Sequence, residues 1–231
     1  MLTFIVPTYK NPNGLLATLL SIKDCSGNTK EDCLHCIVLL DASDPALEHN
    51  KLVCETPELA PVTVRYLIFS SPSLTARVNY AGYLCTTPFI SVINDDIILG
   101  KSDSTLVSKV KPCLDKCLDE IIVLYLCKEK EEDYGYRFPI VSKRFFELVG
   151  YLYHPICATQ DVSERWIGSV FNQLGRIREV KGVDITQNQE YPTYIRFNDE
   201  VTREAEYLYS KCTANVRKAT AMMLSKFMMK E

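Results

Sequence analysis

The first hundred residues alternate between short apolar runs and segments whose apolar positions recur at helical spacing. "LTFIV" (2–6), "CIVLL" (36–40), "VTVRYLIF" (62–69) and "FISVI" (89–93) are β-rich, and their largely unbroken apolar character is that of strands buried on both faces. Between them lie "GLLATLLSI", "PALEHNKLVC" and "LTARVNYAGYLC", which carry the helical repeat. Strand and helix in strict alternation predict an α/β fold, a mostly parallel sheet flanked by helices.

Beyond residue 100 the rhythm loosens. "STLVSKVKPCLDKCL" reads as a helix broken near Pro112, because proline removes a helical N–H and crowds the preceding turn. "EIIVLYLC" and "YRFPIVS" read as strands, and "KRFFELVG" and "VSERWIGSVFNQLG" as helices. The charge run "KEKEEDYG" reads as a solvated loop, with a lid as the alternative. The tail 199–231 reads as helical, with Val216, Ala219, Met223 and Phe227 on one face and Arg217, Lys218, Lys226 and Lys230 around much of the rest. Packing of that face onto the domain is the plainer expectation. The competing one is docking onto a partner, a membrane surface or a following domain, since a Met-rich face adapts to varied surfaces and basic flanks favour anionic lipid. A chain stopping within an apolar helix also suggests a piece of a longer protein.

Composition narrows the picture in two ways. With 26 basic and 29 acidic residues among 231, no global field favours nucleic acid or an anionic membrane, so an anionic ligand must be held locally. The start of the chain lacks a basic region and a long apolar stretch, and no apolar run reaches the roughly 20 residues of a membrane span. The expectation is a cytoplasmic protein, at most peripheral to a membrane. The 10 cysteines are scattered through strand-like and helix-like segments, which favours reduced thiols over a disulfide framework. Cys33 and Cys36 have the spacing of a zinc pair, but no second such pair exists and Cys36 opens an apolar run, so packing is the better reading.

The candidate chemistry gathers at the strand ends. In an open parallel sheet, ligands bind beyond the carboxyl ends of the strands, where strand order reverses. Pro7-Thr8-Tyr9-Lys10, Asp41-Ala42-Ser43-Asp44 and Asn94-Asp95-Asp96 follow the first, second and fourth apolar runs. The last of these is the most demanding. Two adjacent carboxylates between apolar segments need a partner or a cation, although Asn and Asp are also common turn residues. Neither GxGxxG nor GxxxxGK[ST] follows any strand, which disfavours dinucleotide and P-loop chemistry.

"FIVPTYKNPNGLLATLLSI", "IVLLDASD", "SLTARVNYAGYLCTTPFISVINDD" and "QDVSERW", in this order and at this spacing, resemble family 2-like glycosyltransferases of the GT-A fold. The resemblance covers roughly residues 2–180 and rests on four motifs in register. It implies a Rossmann-like GT-A domain over 1–198, with a nucleotide-binding half at about 1–100 and an acceptor half at about 101–198, followed by a helical appendage at 199–231. It also implies a nucleotide-sugar donor, expected to be a UDP-sugar, a hydroxyl acceptor on a glycan or another molecule, and a divalent cation, Mn2+ or Mg2+.

Residue by residue, the resemblance makes Asp96 the direct metal ligand and puts Asp95 near the ribose or the metal. Asn94 stands where the family usually has its first acid, a departure that leaves a carboxamide oxygen able to ligate without charge. Pro7, Thr8 and Tyr9 would lie near the base, Asp41 would accept from the uracil imide N–H, and Arg77 would lie near the base or phosphates. Asp161 falls at the position of the catalytic base of inverting members, with Glu164 as runner-up, Trp166 as a sugar-stacking platform, and His154 as a group that could bind acceptor or metal. Each also has a plainer reading: turn or helix cap for Asp41 and Asp161, exposed helical cation for Arg77, core for Trp166, hydrogen-bonded structural group for His154. Two rival functions remain: a sugar nucleotidyltransferase, which "PTYKNPNG" matches poorly for want of a Gly-rich basic loop, and a non-catalytic nucleotide-sugar binding domain, which Asn94 favours.

Overall fold

A computed structural model describes residues 1–29, 32–71, 73–101, 104–117, 119–127, 137–155, 157, 159–191 and 215–228, apart from the side chains of Cys127 and Asp161. The run "KEKEEDYG" and residues 199–214 of the tail lie outside these.

The alternation of the first half folds as expected. Strands β1 (Leu2–Pro7), β2 (His35–Asp41), β3 (Thr63–Phe69) and β4 (Phe89–Val92) are parallel, joined through helices α1 (Pro12–Asp24), α2 (Leu47–Cys54) and α3 (Leu74–Leu84). The pleat sends alternate side chains to opposite faces. Leu2, Phe4 and Val6 of β1 enter one core with Leu15, Leu19 and Ile22 of α1, while Ile5 enters a second core with Val78 and Ala81 of α3. Two buried faces explain why β1, β2 and β4 carry so little polar sequence; β3 departs from the expectation, because it lies at the sheet edge with Thr63, Arg65 and Ile68 exposed. Asn11 caps α1 by accepting from the Gly14 amide, and Pro12 starts the helix, where its missing N–H costs nothing.

The apolar run broken by Asn94-Asp95-Asp96 is two strands. After β4 the chain turns, with the Ile97 amide donating to the Asn94 carbonyl at 3.3 Å, and β5 (Ile97–Leu99) leaves the main sheet. It pairs antiparallel with β9 (Ile185–Gln187), a strand the local pattern does not reveal. The turn reading and the site reading of this stretch are therefore compatible.

Helix α4 (Leu106–Leu114) contains Pro112 and is not broken there, contrary to expectation. The proline falls in the last turn, so one backbone bond is lost close to where the helix ends anyway. Strands β6 (Val123–Cys127), β7 (Arg137–Ser142) and β8 (Ile177–Glu179) and helices α5 (Lys143–Val149) and α6 (Gln160–Leu174) complete the order β3-β2-β1-β4-β7-β6-β8. Only β7 runs against the others, pairing antiparallel with both β4 and β6. Thr159 caps α6 by accepting from the Val162 amide, and Gly175, at φ 66°, ends it in the left-handed region.

A C-terminal helix spans 215–225. Its buried face is Thr220, Ala221 and Leu224, with Met223 and Met228 partly buried against the second core. The expected face is thus corrected: Ala219 and Phe227 are exposed. Apolar residues surround this helix, so periodicity alone left its inward side ambiguous. Leu224 has no exposed surface. Leu224→Ala should cost about 2–5 kcal/mol in urea unfolding, and truncation after Tyr209 more. An unchanged urea midpoint in both would show that the helix is held for docking rather than for stability. No helix among the described residues is long and apolar enough to cross a membrane.

Candidate functional site

The strand order places a switch point between β1 and β4, because β2 and β3 extend from one side of β1 and β4 pairs with the other. The residues that follow β1 and β4 meet across it. Thr8 Oγ1 donates to Asp95 Oδ2 at 2.6 Å, and both side chains are buried. The Thr8 amide donates to the Leu39 carbonyl, carrying the β1–β2 ladder one residue past the strand and fixing where the hydroxyl points. Pro7 and Tyr9 on either side are half-buried.

At the end of β2, Asp41 forms an ion pair with Arg77 of α3 at 2.5 Å between Oδ2 and Nη2. The other carboxylate oxygen accepts from the Ser43 amide and hydroxyl at 2.8 and 2.7 Å. Burial pushes the Asp41 carboxyl up, but the bonds from Ser43 and Arg77 outweigh it and hold the group below its ordinary value. Arg77 is not the exposed helical cation of the plainer reading: it is largely buried, and its guanidinium lies 5.9 Å from the Phe69 ring centre.

Asp44 is a residue that sequence reasoning placed among the strand-end polar groups without giving it a role. Its Oδ2 accepts from the Lys10 amide at 2.9 Å and from Asn50 Nδ2 at 3.0 Å, and its Oδ1 accepts from the Ala46 amide. It ties the loop after β1 to the loop after β2 and holds Lys10 at φ 56°, a left-handed conformation uncommon for a side-chain-bearing residue. The signal was only Asp three residues past a strand-end Asp.

Asp96 is 1% exposed, its Oδ2 accepts from Gln187 Nε2 at 2.7 Å, and its carbonyl accepts from the Asn188 amide at 2.6 Å. Asn94 Oδ1 is buried with no hydrogen-bond partner among the described residues. An unsatisfied buried oxygen beside a buried carboxylate suits a bound cation, and carboxylate and carboxamide oxygens are the hard donors that Mg2+ and Mn2+ prefer. The residues present therefore fit such an ion. Among the described residues no group of three or more His, Cys, Asp or Glu is placed to hold a metal alone, so phosphate and water oxygens would have to complete the shell. Of the Cys33–Cys36 pair, Cys33 donates its thiol to the Pro61 carbonyl, and Cys36 is buried in the first core.

Helix α3 joins this region to the second half of the chain. Asn79 Oδ1 accepts from the amides of Leu152 and Tyr153, each at 2.8 Å, and its Nδ2 donates to the Tyr153 carbonyl. Thr75 donates to the Cys157 carbonyl. One helix thus places Arg77 against Asp41 and pins the segment that leads to α6.

On that segment the expectations divide. Trp166 is a core residue, not a sugar platform: it has no exposed surface and packs among Phe145, Tyr151 and His154 at ring separations of 5.4–6.2 Å. Glu164 is buried and accepts from Gln160 Nε2 at 2.9 Å. His154 lies edge-on to Tyr151, and burial lowers its pKa. Asp161 lies in the first turn of α6 but is not its cap, which is Thr159. The Asp161 side chain lies outside the description.

No protein-family model and no curated protein matches the sequence. Solved structures match the fold. TarS 1–349 from S. aureus in complex with UDP-GlcNAc superposes with a TM-score of 0.64 at 14% identity, over 98% of this chain and 71% of that one. The mannosyltransferase PcManGT from Pyrobaculum calidifontis, in complex with GDP-Man and Mn2+, superposes with a TM-score of 0.61 at 14% identity, over 97% of this chain and 74% of that one. A longer TarS structure gives a TM-score of 0.62 at 14% identity, and there this chain spans 42% of the other's length. The chain has a GT-A-like glycosyltransferase fold. At such identity the likeness carries the fold, and the reaction must be argued from the residues.

Proposed function

We propose that this chain is a divalent-metal-dependent glycosyltransferase that moves a sugar from a nucleoside-diphosphate sugar, a UDP-sugar by preference, to an acceptor hydroxyl with inversion. The observation that carries this reading is the convergence of Thr8–Asp95, Asp41–Arg77 and Asn94/Asp96 on the carboxyl edge of β1, β2 and β4 at the switch point of a GT-A-like sheet. In this reading the base sits by Pro7, Thr8 and Tyr9. Asp41 Oδ1 already takes two donors from Ser43, whereas among the described residues Oδ2 takes only Arg77, so Oδ2 has a lone pair to offer the uracil imide N–H. Asp96 and Asn94 hold the cation, which neutralises charge developing on the departing diphosphate. Asp161 removes the proton from the acceptor hydroxyl as it attacks the sugar carbon from the face opposite the leaving group.

The test is calorimetry with uridine, guanosine and cytidine diphosphates, with and without Mn2+, followed by donor hydrolysis over a panel of sugar nucleotides. Uridine diphosphate should bind best and only tightly with Mn2+, and one UDP-sugar should be slowly hydrolysed. Preference for guanosine or cytidine would remove the Asp41 assignment. Binding without turnover for every donor and acceptor would favour the non-catalytic reading, to which Asn94 lends its weight.

A further inference from the structure

We infer that Gln187 is a positioning residue for Asp96, fixing the carboxylate that the proposed function assigns to the metal; the inference rests on that reading. Ninety-one positions separate the two residues, and the β5–β9 ribbon closes the gap, with Ile97 opposite Gln187 and the Gly100 amide donating to the Asp184 carbonyl. Two bonds then hold Asp96 from the same strand end. The Asn188 amide fixes its main chain, and Gln187 Nε2 fixes its carboxylate at 2.7 Å. The segment continues to Tyr191, whose carbonyl accepts from Asn11 Nδ2 at 3.2 Å, so it is anchored to the loop after β1 as well.

The chemistry of the amide matters. A carboxamide donor orients a carboxylate without neutralising it, so an incoming cation still meets the full negative charge, whereas Lys or Arg in its place would compensate that charge in advance. Burial makes the orientation count, because Asp96 is 1% exposed and cannot turn freely to meet a ligand. Gln187 itself is exposed, so its shortening opens no core cavity. A purely structural role would show in stability, while a positioning role shows in the metal-dependent part of binding.

Gln187→Met keeps the side-chain length and removes the donor, and Gln187→Ala removes both. In calorimetry of uridine diphosphate with the full chain, both variants should match the parent's metal-free affinity and melting temperature. The affinity gained on adding Mn2+ should fall by about tenfold or more, the usual effect of losing a hydrogen bond to a metal ligand. If the parent shows Mn2+-dependent binding and both variants stay within about twofold of it, this inference is wrong while the functional reading stands. If the parent shows no Mn2+ dependence at all, the metal assignment falls and takes the inference with it.

Discussion

Asp161→Asn is expected to keep the affinity for the sugar nucleotide and lose transfer, with kcat falling by about 10²–10⁴. The substitution preserves shape and removes only the capacity to accept a proton. Donor binding precedes that step, so the loss belongs to the transition state and not to the ground state. Asp161 lies in the first turn of α6, and the helix cap is Thr159. Donor affinity by calorimetry and turnover by steady-state assay separate the two quantities. Weakened donor binding with normal turnover would assign the base elsewhere.

Asp96→Ala should abolish Mn2+-dependent binding of the nucleoside diphosphate and leave the fold in place. Its carboxylate bonds to Gln187, an exposed residue that can turn its amide to water, and the bond from Asn188 is to the main chain and survives the change. Asp95→Ala is the informative contrast. It strips a buried Thr8 hydroxyl of its partner and should cost about 1–3 kcal/mol of stability. Loss of stability on top of any loss of binding would then mark Asp95, whereas Asp96→Ala reads out in Mn2+-dependent binding. Unchanged Mn2+-dependent affinity in Asp96→Ala would refute the metal assignment.

The sequence by itself determined the first half of the molecule. Strands β1, β2 and β4 were legible because burial on both faces of a parallel sheet demands nearly continuous apolar runs, β3 was legible as a β-rich run although it lies exposed at the sheet edge, and the helices between them carry their own repeat. The polar groups at the ends of those strands were legible too, since strand direction alone decides which end they occupy. Tertiary structure decided the rest. The reversal of β7 and the pairing of β5 with β9 depend on partners distant in the chain, and a three-residue strand has too few positions to show a period. Trp166 could be core or platform on its sequence, and only the rings of Phe145, Tyr151 and His154 around it settle the matter. The inward face of the C-terminal helix was lost among apolar residues on every side. Gln187 had no local signal at all: a polar residue at the end of a short exposed strand becomes a contact to Asp96 only because the ribbon folds back across the sheet's carboxyl edge. Periodicity reports what a segment buries, whereas long-range pairing reports what it meets, and the candidate site is built from both.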